Sequence, residues 1–301
     1  MLSEELLMPC RTYPLSLFCA LFLCGYLQAQ IVAFDEPTLH YTYQEFQYNG
    51  GRVPTQATGI NDSGAVVGVY DAVFGNTATG FLYSNGTFTS LAYPGATNTG
   101  AHAINVSGAV VGGYVLPRDI HSHGFLYQNG EYTDFEFPGG YGSYANGINS
   151  AGVIVGVYYD SDNYSHAYFS ANGSFTTIDF PGALNTEAVG INASGQVVGA
   201  YSTAINGPSH GFLYSNGSFS SIDFPSANAT GALGINDFGD IVGYYSGNVS
   251  EHGFLLHAGI FSKLDVPSSS YTSANGINNH RQITGNCECK GLQGFVATPS
   301  Y

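Results

Sequence analysis

Four histidines each stand thirteen residues ahead of an acid: His123 with Glu136, His166 with Asp179, His210 with Asp223, and His252 with Asp265. A carboxylate-held imidazole is the base of a hydrolytic dyad, in which it takes a proton from a nucleophile. That chemistry also needs a serine or cysteine under the imidazole and donors for a developing oxyanion. Four equivalent copies without a distinctive nucleophile provide neither. Between each histidine and its acid lies Asn129-Gly130, Asn172-Gly173, Asn216-Gly217 or Ala258-Gly259, the signature of a two-residue hairpin. The register about each dipeptide places histidine and acid directly opposite, as a cross-strand tie worth about 0.2–1 kcal/mol when exposed. The exceptions change in pairs. Thr79 and Ala92 hold the two places in the first unit, and Gln293 and Gln47 hold them in the last. We therefore read the pairs as structural and expect no catalytic residue among them.

The hairpins belong to a larger period. Gly-Ile-Asn or a close variant recurs six times, with isoleucines at Ile60, Ile104, Ile148, Ile191, Ile235 and Ile277, spaced 44, 44, 43, 44 and 42 residues apart. A period of roughly 40–45 residues is that of a four-stranded propeller blade. In the fourth unit, TEAVGIN at 186–192 reads as a strand and Asn192 to Gly195 as a turn. QVVGAY, HGFLY and FSSIDF then complete a four-stranded sheet. Charged residues are only 9% of the chain, while Gly (41), Tyr (23) and Phe (20) are abundant, which suits short strands and tight turns.

The last unit stops one strand short, and residues 43–48 (YQEFQY) resemble the missing one. The expectation is an all-β, six-bladed β-propeller closed by its N-terminal strand. An open β-solenoid of the same repeats is the alternative, although it would need polar caps at both ends and none is evident. The inner strands carry small residues such as Thr55, Ala57, Ala101, Ala145, Ala188 and Ala232, with Glu187 the only carboxylate in their T-x-A-x-G stretches.

With the repeats laid out, His-Gly-Phe-Leu-Tyr at 123–127 and 210–214, the variant opening at His252, and His-Ala-Tyr at 166–168 stand beside Gly-Ile-Asn and Asp-Phe-Pro-Gly. Together these motifs resemble the HAF-type extracellular repeat family of bacteria over residues 43–297. The resemblance implies an exported repeat protein and carries no assigned activity.

Export also has its own sequence signal. Arg11, the apolar run from Leu15 to Leu27 and the small Ala29 predict a secretory signal at 1–29, a lead segment at 30–42 and the propeller at 43–301. The run falls short of the roughly twenty residues of a membrane span. The expected product is secreted or periplasmic, monomeric and without a span. Six basic against 21 acidic residues, net −15, exclude a nucleic-acid footprint. Beyond the signal only Cys287 and Cys289 remain, read as a local disulfide ahead of free thiols or metal ligands.

Asp160, Asp162 and Asn163 offer oxygen ligands for Ca²⁺ but lack the glycine and late glutamate of an EF-hand loop, so a solvated loop is preferred. No nucleotide-binding glycine pattern occurs, and no cofactor is expected.

Long, irregular connections fall between strands two and three: VLPRDIHS after Tyr114, YDSDNYS after Tyr158 and SGNVSE after Tyr245. Variable loops on a rigid scaffold are where binding residues collect. The expected ligand face therefore carries Arg118, Tyr141, Tyr144, Asp162, Tyr164 and Glu187. Its tyrosines and amides suit a glycan or a protein partner. The expected role is a non-catalytic binding or surface scaffold, with a hydrolase or lyase acting on an extracellular polymer as the alternative.

Overall fold

The computed structural model describes residues 39–48, 53–71, 77–247 and 250–300. The expected signal segment, and the lead segment as far as residue 38, lie outside the described residues. The strands form six four-stranded antiparallel sheets. In five of the sheets the strands follow chain order, as in Asn185–Ile191, Val197–Ser202, His210–Ser215 and Ser218–Ile222 of the fourth blade, and in the sixth the N-terminal strand takes the fourth place. The first strand of each blade packs against those of its two neighbours, and Thr272–Ile277 lies against Thr55–Ile60. The sheets are thus blades in a closed ring, a six-bladed β-propeller, and the open solenoid is excluded. No helix among the described residues is long and apolar enough to cross a membrane.

The N-terminal strand closes the ring. His40–Phe46 pairs antiparallel with Leu292–Ser300, from His40 opposite Ser300 to Phe46 opposite Gly294. It starts at His40 rather than Tyr43 because its partner runs on to Ser300 and offers a backbone edge that far. Phe46 stacks on Tyr83 at 4.9 Å and meets Phe81 edge-on at 6.4 Å. Tyr48 stacks on Tyr70 at 3.7 Å, as Phe224 stacks on Tyr245 at 3.7 Å in a neighbouring pair of blades.

At the narrow end of the ring, the asparagine of each Gly-Ile-Asn does two jobs. Asn149 Oδ1 accepts the Ala151 and Val153 N–H groups, both at 3.0 Å, which fixes the turn after strand one. Its Nδ2 donates to the Asn192 carbonyl of the next blade at 3.1 Å. The same donation runs from Asn61 to Asn105, Asn105 to Asn149, Asn192 to Asn236, Asn236 to Asn278, and Asn278 back to Asn61. The cycle is closed, and every member is buried.

Six inner strands converging on one axis leave little room. A Cβ at Gly59 would stand 2.9 Å from the His102 carbonyl oxygen of the next blade. Each inner strand also carries a β-bulge at one shared place, where Thr58, His102, Asn146, Val189, Leu233 or Asn275 is the extra residue. A bulge re-aims its side chain, and all six of these line the central channel.

Two outcomes test this architecture. Asn149→Ala strands two turn N–H groups and a neighbouring carbonyl and should cost about 2–4 kcal/mol in denaturant unfolding. Asn149→Asp keeps the acceptors but loses the donor, so its deficit should shrink on acidification as the protonated acid donates again; a pH-independent deficit would contradict the ring. Phe46→Ala should cost about 3–5 kcal/mol and lower hydrogen-exchange protection of Gly294 to Ala297. Intact protection there would show that this strand does not hold the last blade.

Candidate functional site

The histidine–acid register holds in all four blades. Nδ1 meets its acid at 2.6 Å (His123–Glu136), 2.7 Å (His166–Asp179), 2.8 Å (His210–Asp223) and 2.9 Å (His252–Asp265). Each acid lies just past the end of strand four rather than within it, because the chain there turns toward the next blade. In the fourth blade, Phe224 N–H leaves the sheet and donates to Thr230 Oγ1 at 3.0 Å.

Each histidine also rests on the tyrosine of strand two, as His123 does on Tyr114 at 5.0 Å. That tyrosine in turn stacks on an aromatic ring of the preceding blade, Tyr93 at 3.6 Å. Three rings and a carboxylate therefore tie adjacent blades. In the last blade Cys287 takes the tyrosine's place and is disulfide-linked to Cys289.

The looped face carries a groove of about 540 Å³ bounded by Ile120, His121, Ser122, Tyr141, Tyr144, Tyr159, Asp160 and Asn163. The structure thus brings Tyr141 and Tyr144 together. Tyr141 is 57% exposed. Arg118, Asp162 and Tyr164 fall outside the lining. Arg118 is an exposed turn residue with φ 69°. Asp162 and Tyr164 sit on a loop closed by Asp160, whose Oδ1 accepts both of their N–H groups at 2.9 Å. That use of Asp160 accounts for the Asp-x-Asp-Asn motif, and no cluster of metal-binding side chains occurs among the described residues.

Glu187 lies on an inner strand, on the same face as the channel-lining Val189, and is solvent-accessible yet largely enclosed. Burial pushes its carboxyl up, with the Ser165 side chain opposing.

Sequence reasoning missed its neighbours. Burial likewise raises Glu251, and burial together with nearby carboxylates pushes Tyr159 and Tyr271 up to about 12. Tyr244 is raised by burial and feels both glutamates. Each departs from its equivalents in the other repeats: Glu251 stands where three other blades have Ser122, Ser165 and Ser209, and Tyr244 where others have Val69, Gly113, Val157 or Ala200. That departure was the available signal. His102, a channel residue, was missed in the same way.

No protein-family model and no curated protein matches the sequence. Among solved structures, AofleA from Arthrobotrys oligospora is similar with 15% identity and a TM-score of 0.53, covering 84% of this chain and 86% of its own. Virginiamycin B lyase from Staphylococcus aureus matches with 14% identity and a TM-score of 0.51, over 86% of this chain and 99% of that one. The Aleuria aurantia lectin AAL, in complex with Fucalpha1-6GlcNAc, matches with 13% identity and a TM-score of 0.51, over 82% and 94%. At such identities the likeness is one of fold.

The first two histidines carry a pH signature. Burial pulls the His123 imidazole down, but Glu136 and Asp119 outweigh it, and its pKa ends above the ordinary 6.5; His166 behaves alike with Asp179 and Asp160. A raised folded-state pKa stabilises fully below the unfolded value and is lost as pH rises through the folded one. His123→Ala should therefore cost about 0.5–1.5 kcal/mol at about pH 5.5 and clearly less at about pH 9. Thermal melts of both proteins at the two pH values check this, and equal deficits would refute the charged pair.

Proposed function

We propose that the protein is an exported, non-catalytic binding protein whose looped face holds a neutral glycan. The observation that carries this reading is the groove around Tyr141, Tyr144 and Tyr159. Sugar rings present apolar C–H faces that stack on tyrosine rings, while their hydroxyls need mixed donors and acceptors. Ser122, His121, Asp160 and Asn163 supply those at the groove wall. A net charge of −15 argues against an anionic polymer. That a lectin shares the fold supports the reading. Export rests on the sequence features of residues 1–29 and on the resemblance to extracellular repeats.

A second reading, a hydrolase or lyase on an extracellular polymer, draws on Glu187 and Glu251. Burial raises the pKa of both, the direction in which a general acid is tuned.

The binding reading is tested on an array of neutral and acidic oligosaccharides. Binding should be confined to neutral ones, and Tyr141→Ala should weaken it at least about tenfold, or 1.4 kcal/mol, while His210→Ala leaves it intact. Loss of a bound glycan over time, abolished by Glu187→Gln, would favour the enzyme. No glycan bound, or binding indifferent to Tyr141, would overturn the groove's assignment.

A further inference from the structure

The channel enclosed by the inner strands widens into a cavity of about 380 Å³. That is far above the roughly 10–15 Å³ a single water needs and within the range of small-molecule sites. The same six isoleucines line this cavity and a narrower one of about 100 Å³ beside the asparagine ring, so they form the constriction between the two. Below it, each ring asparagine uses its donor on the next blade. The cavity is therefore a cup with an apolar floor.

Its walls are not equivalent. At the bulge positions, Thr58 Oγ1 donates to the Ala101 carbonyl at 2.8 Å, Asn146 Nδ2 to Ala188 at 3.0 Å and Asn275 Nδ2 to Ala57 at 2.7 Å. Val189 and Leu233 break that pattern in the fourth and fifth blades and make one side apolar. Across the axis, in the sixth, first and second blades, stand Asn286, Gln56 and His102. The Asn286 Oδ1 is taken by the Ala57 N–H at 2.8 Å, so Asn286 has only its NH₂ to offer.

His102 is the chemically distinct member. Because Asn146 Nδ2 donates to the Ala188 carbonyl, its Oδ1 faces His102 Nδ1, 3.0 Å away. An amide oxygen only accepts, so Nδ1 carries the proton. Burial lowers the imidazole pKa below its ordinary value, against hydrogen bonds to Asn146 and the Ala145 backbone that favour the charged form. Nε2 then holds a lone pair, which no backbone carbonyl can satisfy. It lies beside Gly100, where a Cβ would sit 3.1 Å from Nε2. The missing side chain leaves the imidazole open. No Asp, Glu, Lys or Arg lines the cup among the described residues.

We infer that the central cup is a second binding site, for a small uncharged amphipathic molecule that donates a hydroxyl or N–H to His102 Nε2 and lays its apolar side on Val189 and Leu233. It is separate from the looped-face groove and does not depend on the glycan reading. A charged ligand would meet no counter-ion in the cup.

The test uses the full chain with ¹⁵N-labelled histidine and p-cresol and 4-hydroxybenzamide as probes, with toluene, 4-methylbenzoate and 4-methylbenzylamine as controls. The free protein should show His102 as the neutral Nδ1–H tautomer. The two phenols should shift its Nε2 resonance at concentrations at least tenfold below any control. Gly100→Leu should abolish the shift while the melting temperature stays close to that of the parent. His102→Phe, followed by ligand-observed titration, should reduce p-cresol binding to that of toluene. A charged or Nε2–H imidazole, no shift with either phenol, or a shift that survives Gly100→Leu would each overturn the proposal.

Discussion

The cycle of six asparagine side chains is the constraint on which the rest of the molecule depends. A ring of blades must bring six strand ends to one axis, where backbone N–H and carbonyl groups lose water. Each asparagine donates to one carbonyl of the next blade, and five of the six satisfy two N–H groups of their own turn, Asn192 taking one N–H and the Ser194 hydroxyl instead. A side chain with an acceptor at one end and a donor at the other is what this geometry requires. Asp offers no donor when ionised, and Ser has too short a reach to span two blades. The cycle also explains why a closed ring outlasts an open stack: Asn278 has a next blade to donate to only because Asn61 has come round to meet it.

Convergence at the axis has a second consequence. Small residues are needed where inner strands touch, and the bulge just before them turns one side chain per blade into the channel. The scaffold thus produces six inward-facing positions as a by-product of packing. Four carry groups that hydrogen-bond and two carry Val189 and Leu233. The loops at the opposite end are free of the asparagine constraint, and there the blades differ in length and chemistry.

Much of this was legible because it is local. The period is read directly from the repeats, the Asn-Gly turns and the register that pairs His210 with Asp223 follow from chain positions within one hairpin, and Asn216 and Gly217 do take positive φ, 50° and 79°. The closing strand could be inferred because the last unit visibly lacks one. The grouping of Glu187 and Glu251 around Tyr244 could not, because the two glutamates lie on different blades and nothing local brings them together. The loop residues separated for a similar reason. Tyr141 lies in the connection entering an inner strand and Tyr144 at the start of that strand, whereas Arg118 and Asp162 lie in turns closed by their own hydrogen bonds.

A repeat fold also offers a way to tell scaffold from function that composition alone does not. A side chain present in nearly every blade answers a demand every blade makes. The histidines opening strand three do so, since each is held by a carboxylate and an aromatic ring and vanishes together with its partner. A side chain present once answers no such demand. His102 occupies a position filled elsewhere by Thr58, Asn146, Val189, Leu233 and Asn275, all of which fit the same bulge, so packing does not require an imidazole there. Its Nδ1 reproduces the inter-blade tie that Thr58 makes with a simpler group. Nε2 is what the histidine adds, on an imidazole that lines a cavity on the axis with room for a ligand.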